Sequence, residues 1–296
     1  MNNMQKLPAA FVHEARLRIF KPSRRPTAEK QTEAIETSYG KIEVEHRAVQ
    51  HQDNPTRFTI RPLGLAHADL LDSMRQTALD SVIDGAGRLA MLIDPARARR
   101  AGGFKCSLHD LEVLLDDMAA AIIKIHEPTR MKTTGHLVDT WRSAEDANGQ
   151  IISLPCPLAR TLRHGSRTAR HLWQITIGDV GMQMLMHDLP VDYPLDLIHG
   201  LRFGASQAAA RWLLGQASDR QPNGGWRLDT VIQGVCGPLG SEDMRNRRRE
   251  MKEDASAFAA LGILILDGSD ARVSLGQACN PRLNACNPRL RKSQNV

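Results

Sequence analysis

The chain has 296 residues, of which 42% are hydrophobic, so it can bury a sizeable core and is not wholly disordered. The 39 Lys and Arg outnumber the 33 Asp and Glu, for a net charge of +6. Aromatic residues stand at 4%, too few for the base-stacking platforms of RNA-recognition and single-strand modules.

Residues 1–40 read as a disordered basic arm. Up to Lys30 they hold Lys6, Arg16, Arg18, Lys21, Arg24, Arg25 and Lys30 against Glu14 and Glu29. Such an arm either solubilises the chain or seeks phosphates in a salt-dependent way. KIEVEHRAV, starting at Lys41, alternates as a strand does, and RFTIRPLGL follows it. Leu65 to Val82 is a helix candidate, with Leu70, Leu71, Met74 and Ala78 on one stripe. RLAMLIDP (88–95) is a strand, and Ser107 caps a helix carrying Leu108, Leu111, Leu115 and Met118. IIKIH (122–126) and TTGHLVDTW (133–141) form a hairpin. This order predicts a winged helix, a helix-turn-helix with a β wing, over 41–142. The helix after Ser107 carries Asp110, Glu112, Asp116 and Asp117 and would repel phosphates. The first unit is therefore expected to make protein contacts or dimerise, leaving DNA contact to its wing or to Arg97, Arg99 and Arg100.

Residues 143–170, with SAEDANGQ and LPCPL, read as a linker. A second winged helix is expected over 171–275. HLWQITIG is a strand, Asp179 caps a helix, PVDY is a short strand, and residues 194–217 form one or two helices. Trp226 enters a short strand, residues 228–237 a short helix, and GPLG the turn. Ser241 caps the longest helix, to Gly262, and residues 263–275 form a hairpin with a DGSD tip. The fold class is thus α+β, helix-rich, with two tandem winged helices between disordered ends. In the tail, 276–296, Ala278-Cys279-Asn280-Pro281-Arg282-Leu283 recurs after seven residues. A proline in each unit forbids a coiled coil, so a disordered duplication is expected.

The segment 241–262 carries the functional signal. Arg245, Arg248, Arg249 and Lys252 fall at i, i+3, i+4 and i+7, on one helix face. Met244, Met251, Ala255 and Phe258 give the helix its core side. A basic face and an apolar face after a short helix and a tight turn fit a recognition helix in a DNA major groove. Arginine forks match guanine or two phosphate oxygens, and Asn246 can pair with adenine. Against this stand Glu242, Asp243, Glu250, Glu253 and Asp254, which leave the helix neutral overall. Arg272, in the hairpin, is the candidate for a minor-groove or backbone contact.

The run MRNRRREMKEDASAFAALGI (244–263) resembles the recognition helix of the replication initiators of IncQ-type broad-host-range plasmids, with its Met-Arg-x-Arg-Arg and Leu-Gly at the same spacing. The surrounding order is also similar: a helix (SQAAARWLLGQ), a strand and short helix (WRLDTVIQGVCG), the basic helix and a hairpin. The likeness spans about 170–275 and is faint over 41–142. It implies tandem winged helices that bind directly repeated origin sites (iterons), open adjacent DNA and recruit host replication proteins. It also implies operator contacts for Arg245, Arg247, Arg248 and Arg249. The acidic first unit departs from a two-reader pattern.

The expected partners are double-stranded DNA with repeated origin sites and host replication proteins, with a homodimer left open and no membrane. No run of about 18 apolar residues exists to span one. Residues 1–26 hold no secretory h-region, and Cys106, Cys156, Cys236, Cys279 and Cys286 lack zinc spacing, so a bacterial cytoplasmic setting is expected. No P-loop is present, since GVCGPLG (234–240) lacks the lysine, and the histidines are scattered, so no cofactor or metal is expected. The alternatives are a winged-helix transcriptional repressor and, more remotely, a strand-transfer enzyme using His164, Arg167 and Tyr193. That HxxR is weak, because His13-Glu14-Ala15-Arg16 repeats it. No enzyme activity is expected.

Overall fold

The computed structural model describes residues 7–275 except 9, 25, 27, 29, 38–39, 127–131, 147, 156–168, 189, 217–220 and 267–270. The repeated tail, His164, Arg167 and the DGSD tip lie outside the described residues. The fold is α+β. It opens with a strand, β1 (Ala10–Phe11), and a short helix, α1 (Val12–Arg16). Two hairpins follow, β2 (Thr32–Thr37) with β3 (Gly40–Glu45), and β4 (Arg47–His51) with β5 (Asn54–Arg61). Helix α2 (Leu65–Thr77) precedes the hairpin β6 (Asp80–Ile83) and β7 (Leu89–Ile93), then helices α3 (Pro95–Ala101) and α4 (Leu108–Ala120). Strands β8 (Ile122–His126), β9 (Lys132–Gly135), β10 (Val138–Ser143), β11 (Ser153–Pro155), β12 (Ala169–His171) and β13 (Trp173–Ile177) lead to helix α5 (Asp179–His187).

Two antiparallel sheets organise this first unit, in the orders β2-β3-β8-β9 and β10-β13-β7-β6. Their apolar sides, with α2 and α4, enclose a core that includes Ile42, Leu70, Met91, Leu111, Ile123 and Ile175. Helix α4 starts where its local chemistry dictates. Ser107 Oγ accepts the Asp110 N–H at 3.2 Å, while the Asp110 carboxylate accepts the Ser107 N–H at 2.9 Å.

Several expectations are corrected here. The helix from Leu65 ends at Thr77, and Val82 belongs to strand β6. The expected return strand 133–141 is two strands: β9 pairs with β8, and β10 leaves to pair with β13. The first unit is therefore larger than three helices and a wing. Strand β7 lies between β13 and β6, and Leu89, Ala90, Met91 and Ile93 are all buried, so both of its faces are covered. The boundary at 143–170 does not separate the cores. Ile175 of β13 pairs with both Trp141 and Met91, and Val180 and Met184 of α5 close the same core.

The second unit comprises β14 (Pro190–Val191), α6 (Leu195–His199), α7 (Gly204–Leu214), β15 (Trp226–Arg227), α8 (Leu228–Cys236), α9 (Ser241–Glu253), α10 (Ala255–Ala260), β16 (Ile263–Leu266) and β17 (Arg272–Leu275). Strand β17 lies between β15 and β16 in an antiparallel sheet. Leu213, Val231, Ile232, Met251, Phe258 and Ile263 form its core. The expected 241–262 helix is broken at Asp254. That carboxylate is buried and accepts the N–H groups of Arg202 (3.1 Å) and Phe203 (3.2 Å), just ahead of α7. It serves as a cap for α7 supplied from elsewhere in the chain. Neither Ser241 nor Asp179 is a cap: the N-cap residues are Gly240 and Gly178, with no side-chain bond.

The N-terminal arm is corrected too, over its described part. Phe11, Leu17 and Ile19 enter the first core, whereas Ala10 and Val12 enter the second. Strand β1 pairs with β14, so this segment lies against both units. Glu14 takes a bidentate pair from Arg75 of α2 at 2.6 and 3.0 Å, both side chains being 5% exposed. The positive charge count masked these interleaved apolar residues. Beside this strap of residues 10–19, Arg211 of α7 reaches Asp69 and Asp72 of α2, and the Tyr193 hydroxyl donates to Asp72 at 2.7 Å.

Candidate nucleic-acid interface

Helix α8 stops at Gly237, whose backbone (φ 82°, ψ −171°) belongs to a region open essentially to glycine alone. The turn Gly237–Gly240 then launches α9. Met244 and Met251 bury one side of α9 in the second core, while Arg245 and Arg249 are exposed on another. The outward stripe and the polar side of α8 enclose an open groove of about 860 Å³. From α9 come Arg245, Arg248, Arg249, Lys252 and Glu253. Asp229, Thr230 and Gln233 come from α8, with Arg227 and Ala271 at the end. Five cations thus face two acids.

The other acids of this segment are spent elsewhere. Glu242 and Asp243 occupy the first turn of α9, where the helix dipole favours them. Glu250 accepts from Arg247 at 2.7 and 3.0 Å, and Asp254 caps α7. A helix neutral by count therefore presents a positive groove. Arg248 donates through Nε and Nη2 to the two carboxylate oxygens of Asp229, a side-on fork linking α9 to α8. These bonds hold the Asp229 carboxyl below its ordinary range and push the Arg248 guanidinium up. Arg249 approaches Glu253 only at 3.7 Å.

The structure brings Arg245, Arg248, Arg249 and Lys252 to this groove. It does not bring Ser241, Asn246, Arg247 or Arg272 there. Arg247 is half-buried against Glu250 and Cys236, and its guanidinium is pushed up by the Glu250 hydrogen bonds. Arg272 instead holds the turn before β15, with Nη1 3.4 Å from the carbonyls of Asn223 and Gly225. Arg227, Asp229, Thr230 and Gln233 were missed by sequence reasoning. One signal was available: Thr230 and Gln233 lie at i and i+3, opposite Leu228, Val231, Ile232 and Val235.

The acidic face of α4 is also engaged. Asp117 accepts from Arg47 of β4 at 3.1 Å, and Asp116 from the Trp141 indole at 2.9 Å. Tyr193 is buried at the contact between the units, away from the groove, and burial pushes its hydroxyl well above the ordinary range. Among the described residues, no cluster of His, Cys, Asp and Glu has the makings of a metal site. Among them, too, no helix is long and apolar enough to cross a membrane.

No protein-family model matches the chain, and no curated protein matches it. Among solved structures, it is similar to the crystal structure of selenomethionine derivatives of domains 2 and 3 of RctB. That likeness has 8% identity and a TM-score of 0.48, and it covers 89% of this chain and 98% of that one. At such identity and score it transfers no function to this chain.

Proposed function

We propose that the chain is a sequence-specific double-stranded DNA-binding protein, and that α9 is its recognition helix. The observation that carries this reading is the groove itself: four cations of one helix face, flanked by Thr230 and Gln233, with Glu253 the one acid of that helix among them while Glu242, Asp243 and Glu250 lie outside. The order α7, β15, α8, α9 and the β16–β17 hairpin suits a winged helix that lays α9 in a major groove. Cations on such a face neutralise phosphates, and arginine forks read guanine edges.

The more specific proposal is a plasmid replication initiator that binds repeated origin sites and promotes local opening. It rests on the resemblance of residues 244–263 to the IncQ-type initiators. Host replication proteins would then be partners, in a bacterial cytoplasm, and the chain itself would make or break no covalent bond. The first unit departs from a simple winged helix, so its part in this scheme is scaffolding for the second.

The test is binding of purified protein to an origin with direct repeats and to unrelated duplex, across salt. Strong preference for the repeats, lost in the Arg248→Ala/Arg249→Ala variant, supports DNA reading. Footprinting for unpaired bases next to the repeats then separates initiator from repressor. Binding without preference at any salt overturns the proposal.

A further inference from the structure

We propose that Asp229 is a positioning residue that aims Arg248 at a guanine, making the Asp229–Arg248 pair the base-reading element of the groove. This rests on the DNA-reading function proposed above. A guanidinium has five N–H donors. The side-on fork to Asp229 uses the Nε–H and one N–H of Nη2. It leaves the end-on edge, one N–H each from Nη1 and Nη2, which is the edge that spans O6 and N7 of guanine.

The tie runs between helices, from the first turn of α8 to the middle of α9, so a second element holds the arginine's orientation. Its neighbours in the groove are held differently. Arg245 has no ion pair among the described residues, and Arg249 has a same-helix approach at 3.7 Å. Loose cations suffice for phosphates, which carry no sequence information, whereas a base edge demands a fixed donor pair. In a groove that bound phosphate alone, Asp229 would only weaken binding. As the holder of Arg248 it trades attraction for aim. Both side chains are 44% exposed, so the free edge is open to a ligand and replacing either residue leaves the core intact.

The test is selection from a randomised duplex library with the full chain, followed by binding to the selected duplex, to its single-base variants and to one arbitrary duplex. Wild type should select a site in which replacing one guanine costs about 10–100-fold. Asp229→Asn and Asp229→Ala should cut that preference to below about 3-fold at that position alone, with affinity for the arbitrary duplex unchanged or raised. Arg248→Lys, which keeps the charge without the fork, should lose the same preference. Circular dichroism should stay that of wild type, and a purely structural role for Asp229 would not single out one base. If the Asp229 variants keep the preference and bind every duplex more tightly, or if the selected site has no such guanine, the inference falls and the DNA reading stands. If wild type selects nothing, the DNA reading falls and takes the inference with it.

Discussion

Arg245 and Arg247 are two residues apart on one helix, and the structure separates their surroundings. Arg245 lines the groove, while Arg247 is turned away onto Glu250. The resemblance to plasmid initiators implies DNA contact for both, so the pair makes a sharp test. Each phosphate contact contributes a slope of about −0.9 to log K against log salt. Losing one contact near 0.1 M salt should therefore weaken binding about eightfold, or ~1.2 kcal/mol. Raising salt fourfold should then weaken wild type about 3.5-fold more than Arg245→Ala. Arg247→Ala should leave the slope unchanged and lose only its i,i+3 pair, worth about 0.2–0.5 kcal/mol of stability. Fluorescence anisotropy with a labelled duplex between 50 and 300 mM salt, on the order of one contact's resolution, measures both slopes. Equal slopes for the two variants would refute the assignment of the groove as the DNA face.

Three further outcomes follow from the packing. Glu14→Ala leaves Arg75 buried without its carboxylate and should cost about 3–5 kcal/mol in denaturant unfolding, most of it recovered when Arg75→Met is added. A loss below about 1 kcal/mol would show that the strap is dispensable. Gly237→Ala should cost about 1–3 kcal/mol, because the backbone there suits only glycine and the Arg18 guanidinium fills the space a Cβ would need. Wild-type stability in that variant would disprove the tight turn. The Glu33 carboxyl is held down at about 2 by its hydrogen bond to His46 and then by its ion pair with Lys21. Its stabilisation is present above the ordinary value of 4.5 and lost as pH falls towards about 2. The advantage of wild type over Glu33→Gln should disappear across that window, and a pH-independent difference would contradict it.

What could be read in advance was set by range. The start of α4 is a conversation between Ser107 and Asp110, three residues apart, and it was legible. The cation stripe of α9 was legible because helical geometry alone puts 245, 248, 249 and 252 together. The break at Asp254 was not, because the amides that capture its carboxylate lie about 50 residues earlier, at 202 and 203. Arg227 and Asp229 enter the groove only through the pairing of β15 with β17 and the crossing of α8 by α9. The strap escaped for a different reason. Its apolar residues feed two cores in turn, so neither helical nor strand periodicity marks them.

The strap also sets an order of events. At synthesis rates of about 5–20 residues per second, Phe11 emerges long before Val191, the partner of Ala10 in β14, has been made. Helix α1 must likewise wait for α7 and α8, its neighbours in the folded chain. The core of the first unit is complete in sequence by Met184, yet Ala10 and Val12 have no place to go until the second unit exists. Ala10 and Val12 are therefore among the last residues to settle, and a nascent chain stalled near residue 190 would leave these two uncovered.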